Sequence, residues 1–87
     1  MADLRTFADE AIGALRAHDE IHAGDMCETL EAFLALGNGA EAARRLYIHD
    51  NTMKHRMARM SELLGVDLRE PRTRLTLALA LEVRKFV

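Results

Sequence analysis

The chain has 87 residues, and 12 Lys and Arg against 14 Asp and Glu give a formal net charge of −2. This length predicts one small domain with a compact core and excludes a large multi-domain enzyme. Cys27 is the only cysteine, which excludes a disulfide scaffold. The charge-free stretch near the C-terminus, 75–81, has seven residues, whereas a membrane-spanning helix needs about 20. Because no secretion signal opens the chain, we expect it in the cytoplasm and not in a membrane.

The two halves of the sequence carry opposite charge. Residues 1–41 have nine acidic and two basic side chains, whereas residues 42–87 have ten basic and five acidic ones. Arg outnumbers Lys by ten to two, which suits contacts with phosphates and base edges, although a GC-rich genome would also encode this ratio. The basic half therefore raises the expectation of an anionic partner.

Helical spacing of apolar residues dominates the first half of the chain. It predicts one helix over about 2–17 and a second over about 25–37. Gly37 follows the last periodic residue, so we expect it to end the second helix in the left-handed conformation. Asn38 then begins a capping-box pattern, which predicts a short third helix over 39–46.

A tight turn and a longer fourth helix are predicted next. Residues 47–50 show no periodicity, and Asp50 or Asn51 is expected to cap a helix over 51–64. One face of this helix is an apolar stripe, for which core packing is favoured over the alternative of an adaptable binding groove. The stripe consists of Met53, Met57, Met60 and Leu64.

The C-terminal segment carries a mixed signal. Leucines and Val83 alternate strictly with other residues over 75–83, which is a strand pattern. Strong helix formers, Pro71 at a first-turn position and the lack of a second strand favour a helix over 71–86 instead. Because this helix is apolar nearly all round, we expect it either at the centre of the fold or in half of a dimer interface. The predicted fold is all-α, a compact bundle of about five helices.

The sequence does not predict catalysis, a cofactor or a metal site. Residues 37–42 match the loose dinucleotide fingerprint G-x-G-x-x-A, but a helix precedes them where that fingerprint needs a strand, so helix caps are the favoured interpretation. His18 and His22 have the i, i+4 spacing of a zinc-binding helix, but no third ligand is evident. Cys27 has no evident cationic activator, so it is expected to be a buried small residue. We do not expect an enzyme.

Residues 39–64 combine a short helix, a turn and a longer helix with a basic outer face, which is the plan of a helix-turn-helix. A major groove about 12 Å wide admits one helix, whose start reaches the base edges. Binding of double-stranded DNA is therefore predicted, and the alternative is a non-catalytic helical protein-interaction or dimerisation module. Arg56 lies on a flank of this helix, and an ion pair with an acid inside the fold is the alternative to a DNA contact for its side chain. We expect Asn51, His55 and Arg59 to read bases, and Thr52, Lys54, Arg44, Arg45 and Arg56 to contact the DNA backbone.

Several short motifs follow one another in an order typical of one family. The cluster His-x-Asn-Thr-x-x-x-Arg covers 49–56, Leu-Gly follows at 64–65, and Asp-x-x-x-Pro covers 67–71. Together with further matches along the chain, these motifs make residues 30–81 resemble the C-terminal helix-turn-helix domain of the PucR-type regulators, the group around purine-catabolism and sugar-diacid regulators. The further matches are His18-Asp19, Thr29-Leu30, Phe33-Leu34, Gly37-Asn38, Ala43, Leu46, Leu63, Leu68, Arg74-Leu75 and Ala80-Leu81.

The resemblance implies a transcriptional regulator that binds DNA through this domain, usually as a homodimer, while upstream domains sense an effector. An upstream effector-sensing domain is missing from these 87 residues, so we expect either the C-terminal part of a longer regulator or a short standalone relative. Residues 1–24 are expected to form an N-terminal helix and lead-in, and 25–87 the DNA-binding domain, all in one compact unit. Bound to DNA, the protein is expected at the nucleoid.

Two residues depart from the family pattern. Asp50 follows the motif His, where the family usually has Arg. This change either removes a phosphate contact or makes the position a helix cap whose carboxylate repels phosphate. His55 precedes the motif Arg, where the family favours an aromatic residue. We therefore expect a base preference different from that of relatives and a low affinity near neutral pH.

Overall fold

A computed structural model describes residues 3–86 and confirms the all-α prediction. The segment 75–83, whose alternation also fits a strand, is helical. No helix within 3–86 is both long enough and apolar enough to cross a membrane. The described residues form the helices α1 (Leu4–His22), α2 (Met26–Leu36), α3 (Gly39–Leu46), α4 (Asp50–Leu64) and α5 (Pro71–Arg84).

The first and last helices do not end where the sequence predicted. α1 does not stop near Ala17 but continues through His22, because nothing in 18–22 breaks a helix and Ala23 then takes up the left-handed conformation (φ 51°). The predicted start at Ala2 lies outside the described residues. α5 ends at Arg84, short of the predicted 86.

The helix caps between α2 and α3 follow the sequence prediction. Gly37 closes α2 in the left-handed conformation (φ 76°), and its N–H donates to the Phe33 carbonyl. Asn38 caps α3, since its Oδ1 accepts a hydrogen bond from the Glu41 N–H at 2.9 Å. Residues 37–42 therefore connect two helices, and the dinucleotide fingerprint they resemble has no strand ahead of it.

The core draws on all five helices and the loop before α5. α3 packs against α2 and α4, whereas α5 packs against α1 and α2 and, within 3–86, makes no close backbone contact with α3 or α4. α5 is central only on one side, because Leu77, Ala80 and Leu81 are buried while Leu75 and Leu79 are exposed. The largest fully buried side chains are Ile12, Leu15, Thr29, Leu30 and Met60.

The start of α2 is fastened by a side chain from α1. Asp19 accepts two backbone hydrogen bonds through its two carboxylate oxygens, from Met26 N–H at 2.8 Å and from Cys27 N–H at 3.0 Å. These donors belong to the first turn, where an α-helix leaves N–H groups unpaired, and a negative charge is favourable there. Asp25 occupies the N-cap position but makes no side-chain cap. A residue of α1 therefore caps α2.

Cys27, His18 and His22 are further polar residues near this end of α1. Burial first, and the charge of nearby Asp19 second, raise the pKa of the Cys27 thiol to about 11. The thiol stays protonated near neutral pH, and the prediction of a buried side chain is confirmed. The rings of His18 and His22 lie 4.4 Å apart along α1, and no group of three metal-ligating side chains occurs among the residues described.

Replacing Asp19 with Asn should destabilise the fold. The amide keeps one acceptor oxygen but loses the second acceptor and the charge, so we expect a loss of about 1–2 kcal/mol in the free energy of unfolding. For a domain of this size that loss lowers the thermal midpoint by roughly 5–15 °C. Thermal unfolding followed by circular dichroism measures it. Asp9→Asn is the matched control, because Asp9 is exposed and, within 3–86, its one ion pair is the long one to Arg16, with 3.5 Å between Asp9 Oδ1 and Arg16 Nη1. Equal midpoints for the two variants would contradict the capping role.

Candidate nucleic-acid interface

A tight turn sets the angle between α3 and α4. Tyr47 adopts the left-handed conformation (φ 57°), which ends α3. The Ile48 N–H then donates to the Ala43 carbonyl at 3.0 Å and closes the turn. Ala42 and Ala43 are buried and small, so α3 can lie close to its neighbours. The predicted turn is therefore present, and it brings the end of α3 next to the start of α4.

The residue that caps α4 is His49. Its Nδ1 accepts a hydrogen bond from the Asn51 N–H at 3.1 Å, and its backbone is extended (φ −69°, ψ 149°). The prediction that Asp50 or Asn51 caps this helix is wrong, because both lie inside its first turn. Asp50 still places a carboxylate at the positive end of the helix dipole, which is a favourable position.

α4 has one buried and one exposed face. Met53 and Met60 are buried, and Met57 and Leu64 pack against the core from partly buried positions, so the predicted apolar stripe is confirmed. The three residues predicted to read bases all lie on the opposite side, which is open to solvent. The exposed residues of α4 are Asp50, Asn51, Thr52, Lys54, His55, Ala58, Arg59 and Glu62.

Arg59 is the only predicted base-reading residue with an ion pair within the described residues. Its Nη1 lies 3.2 Å from Glu62 Oε1, one turn further along α4. Both side chains are largely exposed, and an exposed pair of this kind contributes at most about 1 kcal/mol. The guanidinium can therefore exchange Glu62 for a stronger acceptor.

Basic side chains flank the exposed face of α4 on the side of α3. Arg44 and Arg45 lie in the last turn of α3 and are exposed, and positive charge is favourable at that end of a helix. Lys54 is exposed on α4 beside a shallow depression that Gly39, Ala40 and Met57 help to line. These cations lie around the turn, where a nucleic-acid backbone would pass if α4 entered a groove.

The guanidinium of Arg56 points into the fold and makes two contacts there. Its Nη1 lies 2.9 Å from Asp25 Oδ1 and donates to Thr29 Oγ1 at 3.0 Å. The Arg56 side chain is only 26% exposed. Thr29 is fully buried, and its hydroxyl donates in turn to the Asp25 carbonyl at 2.9 Å. This geometry corresponds to the internal ion pair, the second of the two interpretations that the flank position left open.

Sequence reasoning missed one exposed residue at this surface. Tyr47 is 95% exposed in the turn that leads into α4. A tyrosine that combines positive φ with full exposure gains nothing from core packing, and a tyrosine hydroxyl can donate to a phosphate oxygen. The local sequence predicts neither feature, because the left-handed conformation is usually signalled by glycine and residue 47 is a tyrosine.

A family model described as the PucR C-terminal helix-turn-helix domain matches residues 26–83 of this chain. The match therefore begins with α2 and includes α3, the turn, α4 and nearly all of α5. No solved structure matches the chain at a significant level.

Curated relatives from Bacillus subtilis (strain 168) are similar over most of the chain. The Purine catabolism regulatory protein is 33% identical over 86 residues, which are 98% of this chain and 16% of the relative. The Proline-responsive transcriptional activator PutR is 35% identical over 81 residues, 91% of this chain and 20% of the relative. The DNA-binding transcriptional activator AdeR is 33% identical over 75 residues, which are 85% of this chain and 18% of the relative. The chain thus spans a fifth or less of each of these relatives.

The contacts of Arg56 generate a prediction about stability. Arg56→Met keeps much of the aliphatic stem but removes the hydrogen bonds to Asp25 and Thr29, so we expect a loss of about 1–3 kcal/mol in the free energy of unfolding. Urea unfolding of Arg56→Met, Asp25→Asn and the double variant measures the coupling between the two side chains. Arg44→Met is the control, because Arg44 is exposed. A coupling energy near zero would contradict a structural role for the ion pair.

Proposed function

This chain belongs to the PucR family of transcriptional regulators and contains their DNA-binding helix-turn-helix domain, and from this we propose that it inserts the exposed face of α4 into a major groove. The observation that carries the proposal is the division of α4, whose methionine stripe is in the core while Asn51, His55 and Arg59 are open to solvent. The family is non-catalytic. Membership in this family favours DNA binding over the alternative, a role restricted to docking other proteins.

The three candidate base readers fit one groove segment. Asn51, His55 and Arg59 follow one another at intervals of four residues, so they lie along one side of α4. With a rise of 1.5 Å per residue they cover about 12 Å, which corresponds to roughly three or four base pairs. Asn and Arg can each make paired hydrogen bonds to a purine. In this proposal Arg59 releases Glu62 when it meets a base edge.

Side chains around α4 hold the DNA backbone in the proposed complex. Thr52 and Lys54 would contact one strand near the start of α4, and Arg44 and Arg45 would contact the backbone from the end of α3. Arg56 is left out, since its guanidinium is engaged with Asp25 and Thr29. The exposed hydroxyl of Tyr47 joins the backbone contacts.

Asp50 works against these contacts. Its exposed carboxylate lies in the first turn of α4, close to where the backbone would pass, and like charges repel at short range in a partly dehydrated interface. The affinity of a single copy should therefore be modest.

The remaining parts of the proposal concern the whole regulator. We propose that the domain acts as a homodimer on DNA and that an upstream domain of a longer protein senses the effector. Ile12 and Leu15 of α1 belong to the same core as α2–α5, which supports one compact unit made of the segments 1–24 and 25–87. Because its target is chromosomal DNA, we place its action in the cytoplasm, at the nucleoid.

Selection from a random duplex pool at low salt, followed by sequencing, tests the proposed function. We expect enrichment of a two-fold symmetric motif whose half-sites lie about one helical turn, or a multiple of it, apart. Binding should fall steeply with added salt, because phosphate contacts release counterions. Absence of retention at any salt concentration would refute DNA binding by this chain. Retention that salt does not weaken would indicate apolar docking instead.

Two alanine variants test the division of labour on the selected site. Arg59→Ala should cost about 1–3 kcal/mol and relax the preference at one base position, because it removes a base contact. Lys54→Ala should weaken all sequences alike and reduce the salt slope by about one, because it removes a phosphate contact. Binding isotherms on the site and on single-base variants measure both effects. Equal losses on every sequence for both variants would contradict the assignment.

A further inference from the structure

α5 exposes an apolar stripe on the side that faces away from the core. Leu75 is 61% exposed and Leu79 is 50% exposed, and Phe86, just beyond the helix, is 84% exposed. Arg72 and Glu82 are exposed in the same stripe. The five residues 72, 75, 79, 82 and 86 are separated by alternating intervals of three and four, which places them within one face of a helix. We call this face the α5 stripe.

The spacing of the α5 stripe is that of a helix that packs along a partner helix. A repeat of three and four residues is the seam of a coiled coil, and the buried side of α5 already supplies Leu77, Ala80 and Leu81 to the core. Within 3–86, α5 makes close backbone contacts with α1 and α2 but not with α3 or α4. A partner on the α5 stripe would therefore leave the exposed face of α4 free for DNA.

We propose that a second copy of this chain covers the α5 stripe, with the two α5 helices antiparallel about a two-fold axis that crosses the stripe at the level of residue 77. In that register Leu75 lies opposite Leu79 of the other copy, and Arg72 lies opposite Glu82 of the other copy. A two-fold interface uses the same patch on both copies, so the patch must be complementary to itself. Leu75 and Leu79 meet this condition among the apolar residues of the α5 stripe, and Arg72 and Glu82 meet it among the charged ones.

The charges also select the orientation. In a parallel pair each residue would meet its own copy, so Arg72 would face Arg72 and Glu82 would face Glu82, and like charges across an interface are costly. The antiparallel pair makes two contacts of opposite charge instead. Lys85 Nζ lies 3.1 Å from Glu82 Oε1, but the Glu82 side chain is 63% exposed. Its carboxylate remains accessible to a guanidinium.

The size of the stripe determines how strong the association is. A stable specific interface buries about 800 Å² per partner. α5 has 14 residues and is about 21 Å long, so one face of it supplies less area than such an interface needs. We therefore expect a weak dimer in free solution, with a dissociation constant of about 10 µM or higher. Two adjacent half-sites on one duplex would raise the effective concentration and populate it. The inference rests on the proposed homodimer and specifies its surface.

Sedimentation velocity of the 87-residue chain, over a concentration series at low salt, tests the proposal. Arg72→Glu and Glu82→Arg should each raise the dimer dissociation constant about tenfold or more, because each creates like-charge contacts in the antiparallel pair. The variant with both substitutions should regain the wild-type constant within about threefold, since the two charges have only exchanged places. Single variants that associate like the wild type, or a double variant that stays monomeric, would overturn the proposal.

A second pair of variants separates dimerisation from DNA binding. Leu79→Glu should abolish dimerisation without unfolding the protein, because its side chain is half exposed, and Ile21→Glu is the matched control at an exposed position of α1 (77%). On a single half-site both variants should bind as the wild type does, whereas on a two-fold site Leu79→Glu alone should lose affinity. Cooperative binding of Leu79→Glu to the two-fold site would overturn the α5 assignment. If the wild type itself does not bind a half-site, the proposed function is refuted instead.

Discussion

Two charged side chains from different helices meet the first turn of α2, and the arrangement of the other helices depends on them. Asp19 of α1 accepts the Met26 and Cys27 N–H groups, and Arg56 of α4 binds the Asp25 carboxylate and the Thr29 hydroxyl. A domain of this size is stabilised by only several kcal/mol in total. Two half-buried polar anchors, each contributing on the order of 1 kcal/mol, are therefore a substantial part of what fixes α1 and α4 relative to α2.

The second anchor also decides which charges can face DNA. Arg56 directly follows the exposed His55 on α4, yet its guanidinium points inward, so the direction of the side chain and not its charge determines its role. Arg44, Arg45, Lys54 and Arg59 remain on the outside of the helix-turn-helix, and Asp50 and Glu62 partly offset them there. With so few net positive charges, a single copy can gain only a modest electrostatic attraction to a duplex.

Features that depend on residues close together in the sequence could be predicted, whereas features that depend on residues far apart in the sequence could not. Periodicity and local caps indicated the helical class, the turn after α3 and the buried methionine face of α4, because each depends on residues within a few positions. The sequence places the end of α1 too early, because residues 18–22 continue the helix without continuing the buried apolar spacing. His49 was overlooked as a cap because Asp and Asn are the commoner cap residues. The partner of Arg56 lies about thirty residues away, and only the packing of α4 on α2 brings them together.

The fold separates the surface that we propose to read DNA from the surface that we assign to a second copy. α4 is held by α1, α2 and α3, whereas α5 is held by α1 and α2, and within the described chain α4 and α5 make no close backbone contact. Since α1 and α2 both lie against α4 and α5, a change in how α5 pairs can reach α4 through α1, α2 or the loop 65–70. A weak DNA contact and a weak helix pair then reinforce each other only on a duplex that carries both half-sites at the right spacing. Weak individual contacts would in this way produce selectivity for a two-fold site over isolated half-sites, which a tight single-copy binder would lack.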